Sequence, residues 1–153
     1  EGFKIAMEGL DGGRINIGVC SIGGARAAYE AARDYVLERC QFGRTLANFQ
    51  AVQFKLADMA TALESSRLMI HKAAAQLDAG TADSTLISAM AKRLATDAGF
   101  EVCNEALQLH GGYGYLRDFG IERIFRDLRV HQILEGTNEI MRVIIARRLL
   151  AES

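Results

Sequence analysis

The residues best placed to meet another molecule stand near the C-terminus, where a carboxylate precedes a glycine. Glu135, Gly136 and Thr137 separate a helical pattern that ends at Leu134 from a second one that follows. Glycine lets the backbone approach a ligand closely, and loops at element ends often carry function. An acidic residue near a helix N-terminus also stabilises the helix dipole by about 0.3–1 kcal/mol. From the local residues alone, ligand contact and helix stabilisation both stay open.

Two arginines flank the end of the first predicted helix. Arg39 and Arg44 lie around the sequence Cys40-Gln41-Phe42-Gly43. Arginine is favoured at a helix C-terminus because the macrodipole is negative there. Two guanidinium groups can also clamp a phosphate by paired hydrogen bonds. Both interpretations remain open at this point.

A glycine cluster, Gly111-Gly112-Tyr113-Gly114, follows the third predicted helix. A dinucleotide-binding loop of the Rossmann type follows a strand and opens a helix, whereas this one closes a helix. The local pattern therefore favours a helix cap and tight turn. Contact with a cofactor through exposed backbone remains an alternative.

The sequence offers no metal site. A di-iron site in a helical bundle needs paired Glu-x-x-His steps, and leucine stands three residues before each histidine. The cysteines, Cys20, Cys40 and Cys103, are odd in number and lack CxxC spacing. We expect buried or partly buried free thiols in a reducing compartment, and neither disulfides nor a metal.

Hydrophobic periodicity predicts an all-α fold. A first helix is expected over 13–41, a second over 50–78, a third over 84–110, and a partly helical piece over 121–134 before the last helix. The second carries four heptads, with Val52, Met59, Ser66 and Ala73 at one seam position. Without proline or a period-two segment, we expect an antiparallel up-down helical bundle and no sheet. Residues 1–12 are predicted as a glycine-punctuated lead-in, with a short helical turn around Lys4–Glu8, and 13–153 as one bundle domain.

Net charge and hydropathy limit the classes of binding partner that the sequence predicts. The net charge is −1, which gives no general reason to expect nucleic acid or an anionic membrane surface. No apolar run is long enough to span a bilayer. The chain opens on Glu1-Gly2-Phe3 without a methionine, so we expect a piece of a longer protein.

Several motifs together resemble the acyl-CoA dehydrogenase flavoproteins, and specifically their C-terminal domain. They occur in the order of that family and cover nearly the whole chain: Gly12-Gly13-Arg14, residues 38–43 (ERCQFG), 53–59 (QFKLADM), 108–114 (QLHGGYG) and 134–142 (LEGTNEIMR). The segments LHGGYGYL and RVHQILEG are most similar to the isobutyryl-CoA branch of the family. The resemblance implies a helical bundle preceded, in the complete enzyme, by an N-terminal helical domain and a middle β-domain.

The resemblance also implies roles for particular residues. Glu135 would be the catalytic base that takes the α-proton of an acyl-CoA thioester, while a hydride passes from the β-carbon to FAD. The backbone N–H of Glu135 would polarise the thioester carbonyl. Thr137 and Glu139 would contact the flavin, and Asp11, Arg14 and Gly136 the substrate. The ADP half of FAD on a neighbouring subunit would be reached by Arg39, Gln41, Phe42, Gln108 and Gly112.

Two departures from the family pattern bear on these roles. One branch of the family places its base just before the arginine that opens the first helix, and here that position is Gly13. This supports Glu135 as the base. Cys40-Gln41 replaces the more usual basic-then-hydroxyl pair, which weakens the predicted Gln41 contact.

The predicted activity is α,β-dehydrogenation of a short, branched, isobutyryl-like acyl-CoA, with electrons passing to an electron-transfer flavoprotein. The resemblance implies a homo-oligomer, a dimer or tetramer, in which the small-residue faces of helices one and three permit close packing. The compartment would be the bacterial cytoplasm or the mitochondrial matrix. The alternative is a non-catalytic assembly bundle that binds no flavin on its own.

Overall fold

The computed structural model describes residues 2–151, including all of their side chains but those of residues 3–8. Five helices make up the fold: α1 (Gly2–Glu38), α2 (Gln50–Asp78), α3 (Ser84–His110), α4 (Ile121–His131) and α5 (Asn138–Ala151). Short 3-10 turns occupy Leu46–Asn48, Gly111–Tyr115 and Arg117–Phe119. The predicted helical bundle is confirmed.

Helix α3 lies at the centre of the bundle and packs against the other four helices. Its buried residues occur all around the helix, from Leu86 to His110, because neighbours cover it on several sides. Of the predicted seam residues of α2, Met59, Ser66 and Ala73 are buried and Val52 is partly buried.

Helices α1 and α3 approach closely because both present small side chains. Ala25, Ala28 and Ala32 of α1 have no exposed surface. A β-carbon at Gly99 of α3 would lie 3.2 Å from the carbonyl oxygen of Ser21, so only glycine fits there without a shift. These faces pack against each other inside the chain. Their predicted part in packing one bundle against another stays a prediction.

Three helix ends and one pair of short strands differ from the predictions. Helix α1 starts at Gly2 rather than residue 13, so the lead-in is helical throughout its described part, and it ends at Glu38. A two-stranded antiparallel ribbon, β1 (Cys40–Gln41) and β2 (Arg44–Thr45), corrects the expectation of no sheet. Its turn residues Phe42 and Gly43 both have positive φ, 54° and 79°, which suits a two-residue hairpin. Helix α4 ends at His131, three residues before the predicted Leu134.

The cysteines are all free, but their burial differs from the prediction. Cys103 is buried as expected, whereas Cys20 and Cys40 are exposed. Among residues 2–151, no group of three or more His, Cys, Asp or Glu side chains is arranged to hold a metal. None of the helices within that range combines the length and apolarity needed to cross a membrane.

Candidate functional site

The turn between α4 and α5 carries Glu135 in an unusual backbone conformation. Glu135 has φ 55° and Gly136 has φ 89°, both in the left-handed region. For a residue with a β-carbon this conformation costs about 1–3 kcal/mol, and it persists only where the surroundings impose it. Such strain is concentrated at functional sites.

The side chain of Glu135 reaches back to the first helix. A β-carbon added to Gly13 of α1 would lie 2.9 Å from Glu135 Cδ and closer still to Oε2. The carboxylate therefore occupies the space that a side chain at position 13 would fill. Glu135 remains exposed to solvent in this position. The predicted base thus lies between α1 and the α4–α5 turn.

The backbone around Glu135 supplies a free donor. No acceptor within residues 2–151 takes a hydrogen bond from the N–H of Glu135. The next helix is capped by Thr137, whose Oγ1 accepts a hydrogen bond from the N–H of Ile140 at 3.4 Å. Hydrogen bonds from its own N–H and from Thr137 lower the pKa of Glu139, which is exposed and lies 3.6 Å from Arg142. The carboxylate of Glu139 is therefore ionised and accessible at neutral pH.

Asp11 and Arg14, predicted to contact substrate, lie beside Gly13 but are both more than nine-tenths buried. Arg14 Nη1 donates to Asp11 Oδ1 at 2.5 Å, and Thr85 Oγ1 donates to Asp11 Oδ2 at 2.6 Å. The pair therefore fastens α1 to the start of α3. Its predicted contact with substrate stays a prediction.

A polar network that sequence reasoning missed holds the Glu135 turn against α3. Lys92, with no exposed surface, donates from Nζ to Gly136 O and Asn138 Oδ1 at 2.7 and 2.8 Å. Asp97 Oδ1 accepts from Asn138 Nδ2 at 2.6 Å and from Gln132 Nε2 at 2.9 Å. Thr96 Oγ1 accepts from Asn138 Nδ2 at 2.9 Å. The sequence signal for this network was Lys92, which follows the small and apolar residues 86–91 and precedes Arg93.

The remaining predicted cofactor residues gather at the other end of α1. The Arg39 guanidinium lies 5.3 Å from the centre of the Tyr113 ring, which joins the helix end to the glycine cluster. Phe42 is 91% exposed at the tip of the ribbon. Gln41, Gln108 and Gly112 are exposed as well. All five predicted ADP-contacting residues therefore belong to one end of the bundle and leave surface for a ligand.

The two groups of predicted site residues are far apart. Gly13 and Glu38 lie in one continuous helix, and the rise of 1.5 Å per residue separates them by about 37 Å. The structure brings together Glu135, Gly136, Thr137 and Glu139 at one end, with Asp11 and Arg14 adjacent. It does not bring that group into contact with Arg39 and its neighbours.

Comparison with known proteins agrees with the geometry. The family model "Acyl-CoA dehydrogenase, C-terminal domain" matches residues 1–150. The chain belongs to the acyl-CoA dehydrogenase family. It is 56% identical to the mitochondrial isobutyryl-CoA dehydrogenase of Bos taurus over 99% of its length, and 58% identical to that of Dictyostelium discoideum over 97%. Each match covers 36% of the relative.

A solved member of the acyl-CoA dehydrogenase family has the same fold. The butyryl-CoA dehydrogenase of Megasphaera elsdenii superposes with a TM-score of 0.94 and is 43% identical, over 97% of this chain and 39% of that one. The acyl-CoA dehydrogenases are FAD-dependent oxidoreductases. This chain spans little more than a third of the length of the relatives it matches.

Proposed function

We propose that the chain is the C-terminal domain of a longer acyl-CoA dehydrogenase that oxidises a short, branched, isobutyryl-like acyl-CoA, with Glu135 as the base. The observation that carries this proposal is the carboxylate of Glu135 in the space above Gly13, exposed and held on strained backbone. The identity to isobutyryl-CoA dehydrogenases of two distant organisms supports the substrate class.

The residues of this chain can perform the proton-transfer half of the reaction. The Glu135 carboxylate accepts the α-proton of the thioester, and its unpaired backbone N–H donates to the thioester carbonyl, where negative charge develops. A positioned base contributes about 10²–10⁴ to a rate. FAD, when bound, supplies the acceptor for the hydride that leaves the β-carbon. Thr137 and Glu139 stand next to the base, where they can contact the flavin.

The second group of residues fits a nucleotide held by a different copy of the chain. Arg39 offers a guanidinium for phosphate, while the exposed Phe42 ring offers a stacking surface. Because about 37 Å separates this group from Gly13, one FAD bound at Glu135 is not also gripped by the Arg39 end of the same chain. We therefore propose a homo-oligomer, a dimer or tetramer, in which Arg39, Gln41, Phe42, Gln108 and Gly112 serve the cofactor of a neighbouring subunit.

We further propose electron-transfer flavoprotein as the acceptor of the substrate's electrons. The compartment that fits this role is the bacterial cytoplasm or the mitochondrial matrix. An absorption-monitored titration of the substrate-reduced enzyme with electron-transfer flavoprotein tests the partner. Reoxidation by that protein supports the proposal, and persistence of the reduced spectrum contradicts it.

The base assignment is tested by Glu135→Gln in the full-length, flavin-loaded enzyme. We expect FAD to remain bound and its reduction by isobutyryl-CoA to be abolished, because an amide cannot accept the α-proton. Glu64→Gln is the matched control, since Glu64 is an exposed carboxylate paired with Arg67 on α2. Normal flavin reduction in Glu135→Gln would refute the assignment.

The separation of the two ends favours a second possibility for the 153-residue chain by itself. Neither end alone offers both the base and the nucleotide contacts, so the isolated chain can form an assembly bundle without flavin. The absorbance spectrum and sedimentation of the purified chain distinguish the two. A yellow protein bleached by isobutyryl-CoA retains activity, whereas a colourless oligomer acts as an assembly module.

A further inference from the structure

We propose that Lys92 of α3 is a positioning residue for Glu135, whose ammonium group holds the turn over 132–138 in the shape that directs the Glu135 carboxylate onto Gly13. This inference rests on the proposed function of Glu135 as the base. Lys92 itself touches neither Glu135 nor Gly13 in the hydrogen-bond network, so it acts through the backbone that carries Glu135.

The donors of Lys92 match the acceptors that the turn presents. Nζ lies 2.7 Å from Gly136 O, 2.8 Å from Asn138 Oδ1 and 3.4 Å from Gln132 O. An ammonium group has three N–H donors and no acceptor, so each donor meets one acceptor. The acceptors lie on both sides of Glu135 along the chain. One cation therefore fixes both ends of the strained segment.

The burial of Lys92 points to a purpose other than stability. The residue has no exposed surface, and no carboxylate among the described residues bonds to it directly. Lysine is almost never fully buried unless it is paired, because removing an ammonium group from water is costly. An apolar side chain of similar volume often stabilises a core at least as well as a buried charge. Burial lowers the pKa of Lys92 to about 8, and the ammonium form still prevails at pH 7.

Loss of this cation would release the turn. The carbonyl of Gly136 would lose its hydrogen-bond donor. Because Glu135 and Gly136 both have positive φ, the turn could then relax toward unstrained backbone. The carboxylate would then leave its place above Gly13. A misplacement of about 1 Å of this carboxylate can cost about 10²-fold in rate.

The test uses Lys92→Met in the full-length, flavin-loaded enzyme. Flavin content, the Kd of isobutyryl-CoA and the rate constant of flavin reduction at saturating substrate are measured for each variant. We expect flavin content to be retained, the Kd to change by less than about threefold and the rate constant to fall about 10²-fold. A purely structural role would not produce this split between binding and reduction. Lys55→Met is the matched control, because Lys55 on α2 bonds to Glu105 and not to the turn.

Glu135→Gln separates the two proposals. If Glu135→Gln is inactive while Lys92→Met reduces flavin at the parental rate, the positioning inference is overturned and the base assignment stands. If Glu135→Gln reduces flavin normally, the base assignment fails, and the positioning inference fails with it.

A second variant covers the case in which Lys92→Met does not fold or loses flavin. Asn138→Ala removes one of the three acceptors of Lys92 and leaves the buried cation in place. We expect a fall of about tenfold in the rate of reduction with flavin retained. A parental rate would overturn the inference. Loss of flavin in both variants would also overturn it, because the network would then serve stability alone.

Discussion

The carboxylate of Glu135 and the Cα of Gly13 lie so close that no β-carbon fits between them. The two residues are distant in the chain, yet one fills the space that the other leaves vacant. A side chain at position 13 would start in the volume that the Glu135 carboxylate occupies. We therefore expect a base at one of these two positions but not at both.

Replacing Gly13 by alanine should separate stability from activity. Alanine stabilises a helix interior by about 0.5–1 kcal/mol relative to glycine. The new β-carbon would meet only the flexible end of Glu135, so the fold should tolerate it while the carboxylate is displaced. We expect an unchanged or higher free energy of unfolding and a flavin reduction rate lower by about 10²-fold in the full-length enzyme.

Gly12→Ala is the matched control for that change. No atom of the side chains that the structure describes lies within 4 Å of a β-carbon at Gly12, and the residue belongs to the same helix. It should give the same helix stabilisation without loss of activity, as measured by urea denaturation and stopped-flow absorbance. Equal reduction rates in Gly12→Ala and Gly13→Ala would contradict the proposed contact.

A carboxylate at position 13 should partly replace Glu135 as the base. Glu135→Gly removes the carboxylate and also relieves the positive φ at that position, which glycine adopts freely. Adding Gly13→Glu then restores a carboxylate to the same space. We expect the double variant to reduce flavin at least about tenfold faster than Glu135→Gly alone. If the two rates are equal, position 13 does not face the reacting atoms.

The close approach of α1 and α3 should depend on Gly99. Its β-carbon would collide with Ser21 Oγ and press on the Ser21 carbonyl oxygen, which cannot move without shifting α1. We expect Gly99→Ala to lower the free energy of unfolding by about 1–3 kcal/mol. Gly23→Ala, with open space around the added carbon, should instead be neutral or stabilising. Urea denaturation of both variants tests this, and equal midpoints would contradict it.

Lys92 should make the free energy of unfolding depend on pH in the alkaline range. Burial lowers its pKa in the folded protein from 10.5 to about 8, so between these values the unfolded chain binds more protons. Stability should therefore rise as the pH increases from about 8 to 10.5, by at most about 1.4 kcal/mol per pH unit from this group. Other groups titrate in the same range, so the quantity to compare is the difference from Lys92→Met. A difference that does not change with pH would contradict this linkage.

The sequence by itself determined the helices, the α2 seam and the break before α5. These features follow from local rules, since periodicity reports which face of a helix is buried and since Thr137 can cap only the helix that follows it. The family motifs pointed to Glu135 for the same reason, because the break and its glycine are contiguous in the chain. The extent of α1 escaped prediction because glycines read as a lead-in are tolerated within a long helix.

Only the tertiary structure decided which residues meet. The sequence does not show whether Lys92 faces water or the core, because its burial depends on the packing of the four other helices around α3. The bond from Thr85 to the buried Asp11 and the contacts that hold the strained Glu135 turn likewise join segments far apart in the chain. Local patterns specify the surface of each element, but the partner of that surface is chosen by the joint packing of all of them.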